Sequence, residues 1–188
     1  MRYLLVLLGP LLATPLYAAD AAARAGYWGS IDIGFGSLRL QPEVAAARSS
    51  TRLYLGLAGG YTLHRQLQLG IEASGWSIRS GNLRDPAKGE TLLQLFGVVR
   101  YWPTPTSKLC IKAAAGGVIH RNNEPGVDTS EGHGYTLGLG YELTRYAATT
   151  THWFLTYSAG RIDDYRPPGG STQGEDYSAV TTGLTLGF

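Results

Sequence analysis

After its first two dozen positions, most of this chain alternates apolar with polar or small residues. Successive strand side chains point to opposite faces, so a period of two gathers one kind of residue on each face. Between 53 and 63, Leu53, Leu55, Leu57, Tyr61 and Leu63 share a face with Gly59, while Tyr54, Gly56, Ala58, Gly60 and Thr62 share the other. Between 67 and 77, Leu67, Leu69, Ile71 and Ala73 oppose Gln68, Gly70, Glu72 and Ser74. Between 135 and 143, Tyr135, Leu137, Leu139, Tyr141 and Leu143 oppose Thr136, Gly138, Gly140 and Glu142. Such regularity predicts strand rather than helix. A less clean version runs through 27–39, 91–101, 109–119, 153–159 and 178–188. In 91–101 the second face also carries Leu92, Phe96 and Val98, so that strand is apolar on both sides. The pattern predicts eight strands, each near the roughly 9–11 residues of a tilted membrane strand.

The expected connections alternate in length: 40–52 is long, 64–66 short, 79–90 long, 103–108 short and 121–133 long. The stretch 144–151 is intermediate, and 161–176, with Pro167-Pro168-Gly169-Gly170, is the longest. Long and short connections alternating along an even number of strands suit an up-and-down barrel with its long loops at one end.

The start of the chain reads as an address. Met1-Arg2-Tyr3 opens it, an apolar run over 4–13 follows, broken by Gly9-Pro10, and Ala18, Ala19, Ala21, Ala22 and Ala23 crowd in behind. This predicts a secretory signal peptide over 1–19, cut between about 18 and 23, and a barrel domain over 24–188.

Composition decides which face meets what. Charged residues make up 16% of the chain, against roughly 25% in an ordinary soluble domain. A soluble carrier barrel would need Lys and Glu on its outer face. Here the second face is mostly Gly, Ala, Ser and Thr, so the Leu/Ile stripe is expected to face lipid and the small residues the lumen. Asp32, Glu72, Gln94, Arg100, Lys112 and Glu142 then form an interior polar network, paired because an isolated buried charge is costly. The 26 glycines relieve crowding in an eight-strand lumen only just wide enough for side chains. Tyr27, Tyr61, Tyr101, Tyr135, Tyr141 and Trp153 lie on the apolar face as an expected aromatic girdle. A net charge of +2 is too small for nucleic-acid binding, and one cysteine, Cys110, excludes an internal disulfide.

Over nearly its whole mature length the chain resembles the small eight-stranded outer-membrane barrels of the OmpA/OmpX/OmpW kind. The most specific piece is the last strand, in which Val180, Leu184, Leu186 and Phe188 alternate with small residues up to a terminal Phe. That segment is similar to the C-terminal signal read by the outer-membrane assembly machinery. The resemblance implies an all-β, eight-stranded antiparallel transmembrane β-barrel in the bacterial outer membrane. Its partners would be outer-membrane lipid and lipopolysaccharide, together with the assembly machinery.

Chemistry is sparse. His64, His120, His133 and His152 have no metal-ligand spacing, so no metal or cofactor is expected. Some barrels of this size deacylate lipid A with a His–Ser–Glu constellation. His120 is followed by Arg121-Asn122-Asn123 without that Ser, so no catalytic residues are assigned and no enzyme is expected. Glu72 and Glu142 read as structural ion-pair partners, and Cys110 as a packed small side chain. A narrow conduit for hydrophobic solutes, as in OmpW-like barrels, is the alternative. Phe96, Val98 and Trp102 would narrow its bore. Arg79, Arg84, Lys88, Arg161 and Arg166 in the long connections offer contacts for lipid phosphates. The expected role is therefore structural or surface interaction by a monomer, through its four long extracellular loops and any ligand they hold.

Overall fold

A computed structural model describes residues 25–43, 46–79, 90–122, 129–146, 149–165 and 173–188. The expected leader, the side chain of Arg79, and Arg84, Lys88 and Arg166 lie outside the described residues. Eight strands follow in order: β1 (Gly26–Pro42), β2 (Arg48–His64), β3 (Leu67–Arg79), β4 (Glu90–Tyr101), β5 (Leu109–Asn122), β6 (Ser130–Tyr146), β7 (Thr149–Tyr165) and β8 (Gln173–Gly187). Each pairs antiparallel with its neighbour, and β8 pairs with β1 to close the barrel. Phe188 seals the seam just past β8, exchanging both backbone hydrogen bonds with Gly29 at 2.9 and 3.0 Å. Closure leaves no sheet edge, so backbone groups are satisfied without water, the condition for crossing lipid.

The register fixes the geometry. From Asp32 the partners run through Gly56, Ser74, Gln94, Val118, Gly132, Ile162 and Glu175, and return to Pro42. The walk climbs 42 − 32 = 10 residues of β1, a shear of ten. With eight strands about 4.8 Å apart and about 3.3 Å per residue, that gives a tilt of about 40°.

The faces fall as the alternation requires. Ile31, Ile33, Phe35, Leu55, Leu57, Ile71, Leu95, Leu137 and Leu184 point outward and are exposed, while Leu38, Tyr54, Trp76, Phe96 and Phe154 point inward and are buried. The outward apolar band gives way toward the long-loop end to Arg39, Arg121, Glu131, Arg161, Asp163 and Asp176, all exposed.

Strand ends differ from the expected ones mostly at that end. At the other, β6 runs on to Tyr146 and β7 starts at Thr149, so the expected connection 144–151 shrinks to 147–148. At the long-loop end β1 runs on to Pro42, β6 starts at Ser130 rather than 135, β7 continues to Tyr165, and β8 starts at Gln173. Beyond the apolar band the outward face turns polar, while the inward face mixes apolar Leu40 and Ile162 with Arg48, Ser130 and Glu175. The period of two loses its contrast, but the backbone ladder continues. The long-loop connections therefore shrink to 43–47, 80–89, 123–129 and 166–172. The opposite connections span 65–66, 102–108 and 147–148, so projecting strands, as much as loop length, make the two ends unequal.

Candidate functional site

The lumen is built in three layers. Nearest the short turns it is polar. Lys112 Nζ lies 2.5 Å from Glu72 Oε2, both side chains nearly buried, across two strand interfaces. Arg100 donates to Ser30 Oγ at 2.8 Å and lies 4.4 Å over the Trp28 ring, a cation–π contact. Arg145 grips Glu142 with two bonds of 3.0 and 2.6 Å near the turn between β6 and β7. Asp32 is buried, and its Oδ1 has no hydrogen-bond partner among the described residues. It lines a cavity of about 50 Å³ with Arg100, Cys110, Lys112 and His152.

The middle layer is aromatic. The Tyr54 ring packs between Trp76 (5.3 Å between centroids) and Phe154 (5.9 Å), and its hydroxyl donates to Glu72 Oε1 at 3.3 Å. Trp76 Nε1 donates to Thr181 Oγ1. Gly36 opposite leaves the space, since a Cβ there would meet Trp76 Nε1 at 2.9 Å and crowd the Thr181 hydroxyl. Phe96, Val98, Leu92 and Val118 extend this core. An eight-strand bore is narrow enough for such side chains to fill it.

The top layer is a charged knot at the long-loop mouth. His120 Nε2 lies 2.9 Å from Glu90 Oε1, and Nδ1 lies 3.6 Å from Glu175 Oε2. Arg48 Nη2 reaches Oε1 of both glutamates, each at 3.4 Å. Arg48 opens β2, Glu90 opens β4, His120 nears the end of β5 and Glu175 nears the start of β8. The bases of all four long connections thus meet in one cluster. The strand tilt brings these distant positions to one level. His120 and Glu175 are almost wholly buried, whereas half of the Arg48 side chain is exposed. The cluster lies beyond the apolar band, level with outward-facing polar residues. Burial works against the Glu90 charge, but the hydrogen bond with His120 and the nearby Arg48 outweigh it and hold the carboxyl below its ordinary range. Burial dominates at Glu175 and holds its carboxyl above that range.

The six expected interior polar residues all point inward but fall into separate groups. Lys112 joins Glu72, Arg100 joins Ser30 and Trp28, Glu142 joins Arg145, and Gln94 donates to the Tyr177 hydroxyl at 3.0 Å. The six aromatics of the expected girdle are all exposed on the outer face, with Tyr27 and Tyr61 edge to face at 5.3 Å near the short turns. Tyr135 lies toward the other end and packs against Tyr157. Val180, Leu184, Leu186 and Phe188 face outward as well. His64 is exposed where β2 ends, His133 faces Asp163 on the outer surface, and His152 bonds Thr150. Ser130 is the register partner of His120, and both side chains are buried. Among the described residues no group of three or more His, Cys, Asp or Glu side chains is arranged to hold a metal ion.

Sequence reasoning missed the mouth knot. Its signal was parity: Arg48 keeps the inward phase of Tyr54, Glu90 that of Leu92, His120 that of Val118, and Glu175 that of Tyr177. Three of the four fall in stretches that alternation assigns to connections, where it gives no face.

No protein-family profile matches the sequence, and no curated sequence matches it significantly. The fold, however, is shared with solved structures. Neisserial surface protein A is 15% identical, with a TM-score of 0.56 over 86% of this chain and 97% of its own. Ail, the attachment invasion locus protein of Yersinia pestis, is 11% identical, with a TM-score of 0.57 over 87% of this chain and 99% of its own. Ail has also been crystallised with the heparin analogue sucrose octasulfate, and that form has a TM-score of 0.53 at 9% identity, covering 87% of this chain and 99% of its own. Closed register, outward apolar band and these shared folds together give this chain the fold of the small eight-stranded outer-membrane β-barrels.

Proposed function

We propose that this chain is a bacterial outer-membrane protein with a structural and surface-interaction role, displayed by the long-loop end on the cell exterior. One observation carries the reading: the bore is filled at mid-height by Tyr54, Trp76, Phe96 and Phe154, while the pairings tied to all four loops converge at one mouth. A filled bore favours display over a conduit, because an open aqueous channel needs a far wider barrel, of about 16–18 strands. The outward band would meet outer-membrane lipid, with Arg39, Arg121 and Arg161 near lipopolysaccharide phosphates. Val180, Leu184, Leu186 and Phe188 would be read by the assembly machinery as a monomer inserts, and catalysis forms no part of this reading.

Cell fractionation with boiled and unboiled gel samples tests the location. Recovery in the outer membrane with a heat-dependent mobility shift is expected, and a soluble periplasmic species without a shift overturns the reading. Shortening the loops should abolish surface binding to host matrix or cells while leaving the gel shift. Solute uptake into proteoliposomes would favour the conduit instead, and an altered lipid A mass spectrum on expression would restore an enzyme.

A further inference from the structure

The mouth holds more than a knot. A cavity of about 320 Å³ opens beside it, lined by Leu38, Leu40, Arg48, Ser49, Ser50, Arg52 and Glu90. That volume sits at the lower end of the roughly 300–1,000 Å³ of small-ligand pockets. Arg48, Ser50 and Arg52 share the inward face of β2, so two guanidinium groups flank a hydroxyl. Arg52 Nε donates to Ser50 Oγ at 3.0 Å, which aims the guanidinium along the strand. Leu38 and Leu40 give the cavity an apolar floor. We infer that this mouth is a proton-operated binding site for a compact anionic ester, a sulfate or phosphate group on a small apolar-faced carrier, taken between Arg48 and Arg52.

The proton dependence follows from who holds Arg48. Two carboxylates, Glu90 and Glu175, share its guanidinium, each at 3.4 Å. The same two face His120, one near each ring nitrogen. A proton on Glu175, which its burial favours, removes one of the two competitors for Arg48 outright. Two guanidinium charges then stand against one carboxylate, and an entering anion meets a net positive pocket.

Among the described residues the other titratable side chains that face the cluster are Arg52 and Tyr177, and burial pushes the Tyr177 hydroxyl up to about 12. β1 presents Leu38 and Leu40, β6 presents Ser130, β7 presents Ile162, and β8 adds Tyr177 below Glu175. Arg39, Arg121, Glu131, Arg161, Asp163 and Asp176 point outward from their strands. A guanidinium suits sulfate and phosphate alike, since its fork matches two oxygens at once.

This inference rests on the long-loop end facing the exterior only for its biological use, so the chemistry can be tested on purified protein. The barrel is placed in phosphatidylcholine nanodiscs and titrated calorimetrically with glucose 6-sulfate and with glucose. Sulfate is chosen because its charge is constant across the pH range. Glucose 6-sulfate is expected to bind about tenfold more tightly at about pH 5.5 than at about pH 8, with no binding of glucose. Arg52→Gln should weaken binding about tenfold. Glu175→Gln should raise the alkaline affinity to the acid level and flatten the pH profile. The heat-dependent gel shift confirms that each variant is folded. Equal affinity at both pH values, or no effect of Arg52→Gln, overturns the inference, whereas failure of the gel shift in the parent protein overturns the barrel reading instead. Inorganic sulfate and inorganic phosphate, run in parallel, separate a bare-anion site from an ester site. Binding of the bare anions at the strength of the ester overturns the role given to Leu38 and Leu40.

Discussion

The two polar ends of the lumen use the same residue types to opposite effect. At the short-turn end, Lys112 and Glu72 are locked at 2.5 Å with almost no solvent exposure, beneath an aromatic lid. At the long-loop end, Arg48 spans two glutamates at 3.4 Å with half its side chain in water, and a histidine stands between the same two acids. Coulomb attraction grows as the surroundings lose water, and so does the penalty for breaking a pair. The lower pair therefore behaves as a fixed structural element. The upper cluster has spare geometry, a half-exposed guanidinium and a buried carboxyl, Glu175, that its surroundings hold above the ordinary range. Rigidity and responsiveness are thus separated along the barrel axis by Tyr54, Trp76 and Phe154.

The sharpest way to break this contrast is to break the lower pair. Lys112→Met leaves Glu72 charged and buried, which should cost about 3–5 kcal/mol of stability. Urea titration in nanodiscs, followed by the gel shift, reads that loss. The double change Lys112→Met with Glu72→Leu should recover most of it, because removing both charges also removes their desolvation penalty. Arg48→Met should cost far less, since a half-exposed partner at 3.4 Å is screened by water. Equal losses from Lys112→Met and Arg48→Met would erase the difference between the two ends.

The layer between them should rank next. Trp76→Ala removes a fully buried ring and its bond to Thr181, a change that costs about 3–5 kcal/mol when a core cannot collapse. A barrel wall closed by backbone hydrogen bonds has little freedom to move inward, so the upper part of that range is expected. The same variant opens the bore. Proteoliposomes carrying it should leak small ions where the parent does not, and no leak would mean that Phe96 and Phe154 seal the lumen without Trp76.

How far the sequence announces this arrangement differs by layer. Strand number, pairing order and the outward face are legible because lipid imposes a period-two contrast on every strand it touches. Leu53, Leu55 and Leu57 against Tyr54 and Gly56 state it outright. The aromatic layer is half legible: parity turns Phe96 and Val98 inward, and the surplus of glycine signals relief of crowding. What alternation cannot show is that Gly36 on β1 yields its space to Trp76 on β3. That pairing across the lumen depends on the shear of ten, which no local pattern contains. The mouth was illegible for a different reason. Beyond the apolar band the outward face is polar too, so Arg48, Glu90 and Glu175 look like loop residues although they keep the inward phase.

The smallest expected effect concerns pH, and here the two glutamates of the knot should pull apart. Glu90 has its folded carboxyl held low. It binds protons more weakly folded than unfolded, so its contribution is present above the ordinary carboxylate range and is lost as pH falls through its depressed folded value. Glu175 has its carboxyl held high. It binds protons more tightly folded than unfolded, so it favours the fold in acid and loses that contribution as pH rises from the ordinary carboxylate range through its raised value. Stability curves against pH should therefore separate on substitution. Glu175→Gln should stabilise the barrel most at neutral and alkaline pH, where the parent must keep a buried charge. Glu90→Gln should destabilise it over the same range and converge with the parent in strong acid. Both differences should stay below the loss from Lys112→Met, because Arg48 and His120 already offset part of each charge. Two curves shifted in the same direction would mean that Glu90 and Glu175 act as one interchangeable pair. The mouth would then be as fixed as the short-turn end beneath it.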